Sequence, residues 1–326
     1  MNHLSGLVVA AHGRHCLVET DTGARVICHP RGKKNQVVVG DRVAWQPSGD
    51  EGTVERVLAR RNLFYRQDEI RTKAFAANLD QVLILVAAEP EFSESQLARA
   101  LIACEQAGIA PLVALNKSDL VAPFARAWQR LLPYRHMGYG VLPLSLREAG
   151  EVDCEHLKAH LAGKATLVLG PSGAGKSTLV NLLVPSAQAQ TGEISQALNS
   201  GRHTTTSTRW YWVDEAGAAP DPAGASGPSE PSARTALIDS PGFQEFGLRH
   251  IEAANLAACM PDLRPHLADC RFYNCTHMHE PGCGVRAAVR ADDASGATAD
   301  ADASISENRY RIYRMLFEEL SQAPRY

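Results

Sequence analysis

The feature that most constrains this chain is a glycine-rich loop at residues 170–178, GPSGAGKST. It matches GxxxxGK[ST], in which backbone N–H groups surround a phosphate chain, the lysine contacts the β- and γ-phosphates and the next hydroxyl binds Mg²⁺. The apolar residues 165–169 predict a strand entering the loop, and residues 177–183 predict a helix whose positive end faces the phosphates. This setting favours a nucleoside triphosphate site over a plain glycine and serine turn. The candidate binding residues are Gly170, Pro171, Ser172, Gly173, Ala174, Gly175, Lys176, Ser177 and Thr178.

Composition narrows the class of protein. The chain has 326 residues, enough for two or three domains, and 45% hydrophobic residues, which is ordinary for a soluble globular protein. Residues 1–11 lack the basic start and long apolar core of a signal peptide, and no apolar run is long enough to cross a membrane, so we expect a cytoplasmic protein with no membrane role. Of the eight cysteines, Cys270, Cys275 and Cys283 lie near a histidine, a grouping that in a reducing compartment more often binds a metal than forms disulfides.

The amino-terminal region reads as a small β-barrel. Short β-like runs are separated by turn sequences such as the DTG at 21–23. The runs are 6–10, 15–19, 24–28, 36–39, 41–45 and 52–57. They predict a five- or six-stranded barrel, which we assign to the OB type.

This region also carries the basic charge of the chain. Residues 1–75 have a net charge of +4, whereas the rest of the chain has −7. The basic residues considered for an RNA-binding side are Arg31, Lys33, Lys34, Arg60, Arg61, Arg66 and Arg71. On charge alone, an RNA-binding surface and an ordinary solvated surface are about equally plausible.

A guanine-recognition pattern precedes the glycine-rich loop. Residues 81–87, 95–107 and 111–115 read as an apolar strand, an amphipathic helix and a second strand, which is a βαβ unit. The sequence NKSD follows, with Asn116, Lys117 and Asp119 as candidate ligands. In guanine-nucleotide binders this aspartate accepts hydrogen bonds from N1–H and the exocyclic amine of guanine, a donor pair that adenine lacks. Together with a phosphate loop, NKSD favours GTP over ATP. Ser145 follows the next predicted strand, where GTPases place a loop that touches the base.

The order of these motifs is unusual. Guanine-specificity elements normally follow the phosphate loop, whereas here NKSD precedes it by more than fifty residues and the sequence DSPG at 239–242 comes after it. The motifs are therefore circularly permuted. A doubly wound domain tolerates this change because its termini lie close together on the surface.

These motifs resemble those of the RsgA (YjeQ) family, bacterial circularly permuted GTPases that act on the small ribosomal subunit late in its assembly. The shared features are the barrel, NKSD, GPSGAGKST, the GRHTTT at 201–206, the DSPGF at 239–243 and the later Cys/His cluster. The resemblance implies an OB domain at 1–72, a permuted α/β P-loop GTPase domain at 73–249 and a small α-helical zinc-binding domain at 250–326. It also implies the small ribosomal subunit and its rRNA as partners, and we expect a monomer.

The segments after the phosphate loop predict the residues of hydrolysis. Asp239 ends a predicted strand and is expected to hold Mg²⁺ through water, and Gly242 to offer an N–H to the γ-phosphate. Thr205 is our choice among the threonines at 204–206 for the switch contact with Mg²⁺. Phe243 occupies the position where Ras-type GTPases carry a water-orienting glutamine, and a phenyl ring cannot do this. The resemblance implies that His250 takes over that role; a solvated histidine is the alternative.

The cysteine cluster has the composition of a structural zinc site. Cys270, Cys275, His277 and Cys283 offer three thiolates and an imidazole, the tetrahedral donor set of a closed Zn²⁺ site. His279 competes with His277, and the resemblance favours His277. A reduced cluster without metal is the alternative.

Other functions remain open at this point. One is a P-loop kinase of a small substrate, although no acceptor pocket is visible in the sequence. The other is a nucleotide-gated, RNA-binding zinc protein with little hydrolysis. Residues 216–233 and 291–304 are rich in Ala, Gly, Ser and Asp, so we expect loosely ordered insertions there.

Overall fold

A closed five-stranded barrel forms the amino-terminal part of the computed structural model, which describes residues 4–13, 15–32, 36–187, 208–213, 234–242, 245–290 and 304–323. The strands are β1 (Leu4–His12), β2 (His15–Thr20), β3 (Arg25–Pro30), β4 (Arg42–Ser48) and β5 (Glu51–Val57). Their order is β1-β2-β3-β5-β4, and β4 pairs back with β1. Only β3 and β5 pair in parallel, and the interior holds Val8, Val18, Val43, Trp45 and Val54. The predicted OB-type barrel is confirmed.

The run at 36–39 does not add a sixth strand. Val39 makes a single bridge with Ala76, and Val38 and Val39 are buried without belonging to a strand. The reason is Asp41, whose fully buried carboxylate accepts from the Val38 N–H and from Arg60, so the chain turns here.

A β-hairpin that was not among the predicted strands follows the barrel. Its strands are β6 (Leu63–Gln67) and β7 (Thr72–Ala77). Its apolar side buries Phe64 and Phe75, which pack on Phe246 from the segment after DSPG. The hairpin therefore lies between the barrel and the nucleotide-binding part of the chain.

The central sheet continues the barrel. Its strands are β8 (Gln81–Ala87), β9 (Ala110–Asn116), β10 (Gly140–Pro143), β11 (Ala165–Leu169), β12 (Arg209–Trp212) and β13 (Ala236–Asp239). The order is β10-β9-β8-β11-β13-β12, all parallel except β12, which also bridges β1 through Ala10 and Arg209. Sequence order and spatial order disagree as the permutation requires: NKSD follows β9, and β9 precedes the strand of the phosphate loop, β11.

Helices cover both faces of this sheet. They are α1 (Glu94–Ala107), α2 (Val121–Arg130), α3 (Leu132–His136), α4 (Gly150–Leu161) and α5 (Lys176–Leu183). Along β8, Val82 and Ile84 pack with α1, whereas Leu83 and Leu85 pack with α4 and α5. Burial on both faces explains why β8 is a continuous apolar run. Helix α1 begins at the Ser93 cap and ends at a left-handed glycine.

The carboxy-terminal part consists of short turns and one long helix. Three single 3₁₀ turns lie between 253 and 266, two of them within residues 250–260, whose sequence is typical of a helix-like stretch. They are followed by α6 (Gly284–Ala288), β14 (Val289–Arg290), β15 (Ile305–Ser306) and α7 (Glu307–Ser321). Helix α7 buries Ile312, Tyr313 and Leu316 against the same core as α1. Within the described ranges, no helix is both long and apolar enough to span a bilayer.

Candidate functional site

The glycine-rich loop has the geometry of a phosphate cradle. Gly173 and Gly175 have φ angles of 80° and 106°, which side-chain-bearing residues rarely adopt, and α5 begins directly after Gly175. The Lys176 ammonium donates to the carbonyl oxygens of Gly170 and Pro171, both at 2.8 Å. A Cβ on Gly242 would lie 3.1 Å from the Lys176 Nζ, so the DSPG segment reaches the same lysine.

Asp239 lies beside the loop because β13 pairs with β11, in the register Val168 to Asp239. Burial raises the pKa of the Asp239 carboxyl to about 6, an effect opposed by Lys176 and Arg209. Burial also lowers the pKa of Lys176. A buried carboxylate and the Ser177 hydroxyl at the start of α5 are oxygen donors, which Mg²⁺ prefers. The local residues fit a magnesium ion bound with phosphates.

The NKSD residues form the wall of an adjoining cavity of about 610 Å³. Asn116, Lys117 and Asp119 line it together with Gly173, Gly175 and Thr178 of the loop, so the fold unites two motifs that are far apart in sequence. The Ser145 hydroxyl donates to Asp119 Oδ1 at 3.0 Å, which holds the carboxylate at the cavity. Lys117 has a φ of 71° and donates to the Glu89 carbonyl oxygen.

Asn116 links the two halves of this site. Its Nδ2 donates to the Ala174 carbonyl oxygen at 2.9 Å, and its Oδ1 accepts from the Leu146 N–H at 3.2 Å. The buried Asn116 side chain therefore joins the phosphate loop to the loop that carries Ser145. Arg147 also lines the cavity, from the predicted loop that carries Ser145, whereas Glu89 and Pro90 were not predicted because no motif marks them.

His250 lies against the hairpin. Its ring is 4.4 Å from the ring of Tyr65, its Nδ1 is buried without a hydrogen-bond partner, and burial lowers its pKa. Among the described residues, no hydrogen bond or ring contact joins His250 to Lys176 or Asp239. Thr205 and Phe243 lie outside the described residues.

The carboxy-terminal cluster brings the four predicted metal ligands together. The Sγ atoms of Cys270 and Cys283 are each 3.5 Å from His277 Nδ1 and 4.0 Å from each other. With Cys275, the ligand atoms all lie within 4.8 Å of one another. A zinc ion with bonds of about 2.3 Å to sulfur separates tetrahedral ligands by about 3.8 Å, so the cluster fits such an ion.

Contacts that no motif predicts support this cluster. Tyr310 and Tyr313 of α7 donate to the carbonyl oxygens of His277 and Thr276, at 2.7 and 2.8 Å. The Glu280 carboxylate accepts from the Thr276 hydroxyl and from the backbone N–H groups of Thr276, Met278 and His279. Burial alone would raise the pKa of Glu280, but the bonds from the Thr276 hydroxyl and from backbone N–H groups, those of Thr276 and His279 among them, lower it. These bonds shape the loop that carries His277 and tie it to α7.

Comparison with known proteins decides the family. The family model of the RsgA GTPase matches residues 57–249, which include the phosphate loop, NKSD and DSPG. The chain belongs to the RsgA GTPase family. It therefore hydrolyses GTP, and guanine nucleotide and Mg²⁺ are the ligands that membership implies. Membership of this family does not support the two alternative functions, a small-molecule kinase and a nucleotide-gated protein with little hydrolysis.

Proteins named as RsgA GTPases are similar to this chain over nearly its full length. The chain is 67% identical over 318 residues to "Small ribosomal subunit biogenesis GTPase RsgA" of Variovorax paradoxus, covering 98% of this chain and 93% of the relative. It is 47% identical over 326 residues to the protein of that name from Paraburkholderia phymatum, covering 99% and 94%.

Solved structures agree with the fold of RsgA GTPases. YjeQ from Thermotoga maritima superposes with a TM-score of 0.69 at 27% identity, covering 99% of this chain and all of that one. YloQ, titled a circularly permuted GTPase, gives a TM-score of 0.66 at 24% identity, covering 100% and 98%, and supports the fold alone. The permuted motif order predicted for this chain is confirmed.

Proposed function

We propose that the chain is a GTPase that binds the small ribosomal subunit during late maturation, and that the bound nucleotide controls binding and release. The observation that carries the proposal is the 67% identity, over 98% of this chain, to a protein named for small ribosomal subunit biogenesis. The proposal includes contact with the rRNA of the subunit, a cytoplasmic location, where bacteria assemble ribosomes, and action as a monomer. It keeps the three domains at 1–72, 73–249 and 250–326.

The charges of the barrel limit which side chains can bind rRNA. Arg31, Arg60 and Arg61 each form an ion pair, with Glu55, Asp41 and Asp80 respectively, so their charge is partly neutralised. Arg60 also donates to the Asp41 carboxylate that forms the turn, so we assign it a structural role. We therefore assign rRNA contact to the exposed arginine at 71 and, among the residues outside the described ranges, to Lys33 and Lys34.

Subunit binding tests the partner. Small subunits and the protein are sedimented together with a non-hydrolysable GTP analogue, with GDP and with no nucleotide. We expect co-sedimentation with the analogue and its loss with GDP. Equal binding in all three conditions would contradict nucleotide control, and no binding in any of them would contradict the partner itself.

The site residues divide the work of hydrolysis. With nucleotide bound, Asp119 would accept from the guanine edge and Lys176 would donate to the β- and γ-phosphates. Ser177, and Asp239 through water, would hold Mg²⁺, which would neutralise the charge that develops on the phosphates. We assign the remaining contact of the switch to Thr205 and an N–H donor at the γ-phosphate to Gly242. Asn116, Lys117 and Ser145 complete the base site, with residues 170–178 as the phosphate cradle.

We assign the orientation of the attacking water to His250. A neutral imidazole can accept a proton or a hydrogen bond from water, and the lowered pKa of His250 keeps its ring neutral near pH 7. His250→Ala is expected to lower kcat at least about 100-fold, whereas a matched change at the exposed His160 leaves kcat unchanged. Unchanged turnover in His250→Ala would remove His250 from the mechanism.

We infer that the ion held by Cys270, Cys275, His277 and Cys283 is a single structural Zn²⁺. The three thiolates and one imidazole favour zinc over magnesium or calcium, which prefer oxygen. Metal analysis of purified protein should give one zinc per chain, and Cys275→Ser should lower that content. Purified protein that carries another metal, such as iron in place of zinc, or no metal at all, would contradict the assignment.

A further inference from the structure

The segment that leads to His250 is held by side chains of α1. Gln96 Oε1 accepts from the Phe246 N–H at 2.8 Å, and Arg99 Nη1 donates to the Phe246 carbonyl oxygen at 3.4 Å. The Phe246 ring is buried with the rings of Phe64 and Phe75, at 5.8 and 6.1 Å. Both backbone groups and the side chain of one residue are thus fixed just after DSPGF.

The next residues pair with the hairpin. The Gln67 N–H donates to the Gly247 carbonyl oxygen at 3.1 Å, and the Arg249 N–H donates to the Gln67 carbonyl oxygen at 2.9 Å. A Cβ on Gly247 would overlap the Gln67 carbonyl oxygen, so the close approach requires glycine. His250 follows this short strand-like pairing. Its backbone position is therefore set by residues 246–249, which contact α1 and β6.

The end of α7 holds two arginines of this region. Arg99 is 8% exposed, and both Nη atoms donate to the Glu319 carboxylate, one of them at 3.0 Å. Arg249 donates to the Gln322 carbonyl oxygen at 2.8 Å and to Glu69 at 2.9 Å. The carboxy-terminal helix thus touches both sides of the segment that positions His250.

We propose that Arg99, oriented by Glu319, is a positioning residue for GTP hydrolysis. It holds the Phe246 carbonyl oxygen, and with Gln96 it fixes the path of residues 246–249 and so the place of His250. A consequence is that the end of α7 controls turnover, because a shift of Glu319 releases Arg99. The inference rests on the proposed role of His250.

Stability alone does not explain this ion pair. The Glu319 side chain is 33% exposed, and an ion pair with one partly solvated partner contributes little net stability. Arg99 also leaves its Nε buried without a hydrogen-bond partner, which an apolar side chain would avoid. What an apolar pair cannot supply is the hydrogen bond to Phe246, and that bond is the part relevant to His250.

The chain offers a matched control. Arg309 of α7 forms a buried bidentate pair with Asp262, at 2.8 and 3.1 Å, and likewise has one buried nitrogen, Nη1, without a partner. This pair also ties α7 to the rest of the chain but makes no described contact with residues 245–250. Changes at the Arg309 and Asp262 pair therefore show the effect of loosening α7 alone, without loss of the Phe246 contact.

The experiment measures kcat, KM and Tm for GTP hydrolysis in the full-length protein with small subunits present. We expect Arg99→Met with Glu319→Met to lower kcat about 10- to 100-fold, with KM within about twofold of the parent and Tm preserved. Arg309→Met with Asp262→Leu should keep the parent kcat. A parent kcat in the Arg99 and Glu319 pair, or an equal loss in the control pair, overturns the proposal.

A second pair of variants tests the other backbone contact of Phe246, at the half-exposed Gln96, where folding is not at risk. Gln96→Leu removes the acceptor for the Phe246 N–H, whereas Gln96→Glu keeps an oxygen there. We expect Gln96→Leu to lower kcat about tenfold and Gln96→Glu to retain it. Equal kcat values in these two variants contradict the inference.

Combination with His250→Ala shows whether Arg99 acts through His250. We expect the Arg99 and Glu319 change to lower kcat little further once His250 is alanine, because the group that it positions is gone. A full multiplicative loss overturns the inference. If His250→Ala alone keeps parent turnover, the proposed role of His250 fails; if His250→Ala is slow but the Arg99 and Glu319 pair is not, only the positioning role fails.

Discussion

Gly175→Ala is the perturbation whose effect the structure defines best. Gly175 has a φ of 106°, and a Cβ placed on it would lie 2.5 Å from Asn116 Nδ2. Alanine would therefore displace the Asn116 side chain from its bonds to the Ala174 carbonyl oxygen and the Leu146 N–H. These bonds hold the phosphate loop against the base site.

The magnitude follows from two costs. A left-handed backbone costs a residue with a Cβ roughly 1–2 kcal/mol. Each of the two Asn116 bonds contributes about 1 kcal/mol net. The total of about 3–4 kcal/mol corresponds to a loss of roughly 100- to 1,000-fold in GTP affinity, since the bound nucleotide requires the loop in this geometry.

Gly173→Ala provides the matched control. Gly173 also has a positive φ, of 80°, but the nearest atom to its added Cβ is Pro90 Cδ at an ordinary 3.6 Å. It should show only the backbone cost, a loss of about 5- to 30-fold. Kd is measured for both variants by titration with a fluorescent guanine nucleotide, beside the Tm of the nucleotide-free proteins. Equal losses in the two variants would refute the role of the Asn116 contact.

Further predictions concern the base, the metal and the pH dependence. Asp119→Asn should weaken GTP binding about 100-fold and improve binding of xanthosine triphosphate, because an amide donates where a carboxylate accepts. Competition titrations measure both affinities, and an unchanged preference would contradict the base assignment. Chelation of the metal at the Cys₃His cluster should speed hydrogen exchange at 270–283 and at the end of α7 that bonds to it, while guanine-nucleotide binding persists; unchanged exchange would argue against a structural ion. The lowered pKa of His250 should place the loss of kcat at acid pH below the ordinary histidine value of 6.5, since the neutral ring is lost only as pH falls through the lowered pKa. A profile of kcat from about pH 5 to pH 8 checks this, and a loss of kcat centred above pH 6.5 would contradict it.

Local patterns predicted the parts of the fold that depend on neighbouring residues. The phosphate loop follows β11 and precedes α5, the apolar run at 81–87 is a strand buried on both faces, and the barrel closes in OB order. The four metal ligands also come together, because short spacing alone brings them within one loop region. In each case, the sequence motif and the geometry involve the same few residues.

Contacts between distant segments were not predictable in this way. The hairpin of β6 and β7 carries charged residues such as Arg66, which we considered only for RNA binding. The hairpin nevertheless buries Phe64 against Phe246, from a segment far along the chain. Arg99 lies on a helix among apolar positions, and its partner Glu319 is 220 residues away. Nothing in the local sequence of either residue indicates the pair. Thr205 stays a prediction, because it lies outside the described residues.

The most direct test of the central proposal is multiple-turnover phosphate release from GTP, with and without purified small ribosomal subunits, beside an ATP control. We expect the subunits to stimulate GTP turnover strongly and to leave ATP turnover unchanged. Absence of stimulation, with tight GTP binding intact, would contradict the proposal that this GTPase acts on the small subunit.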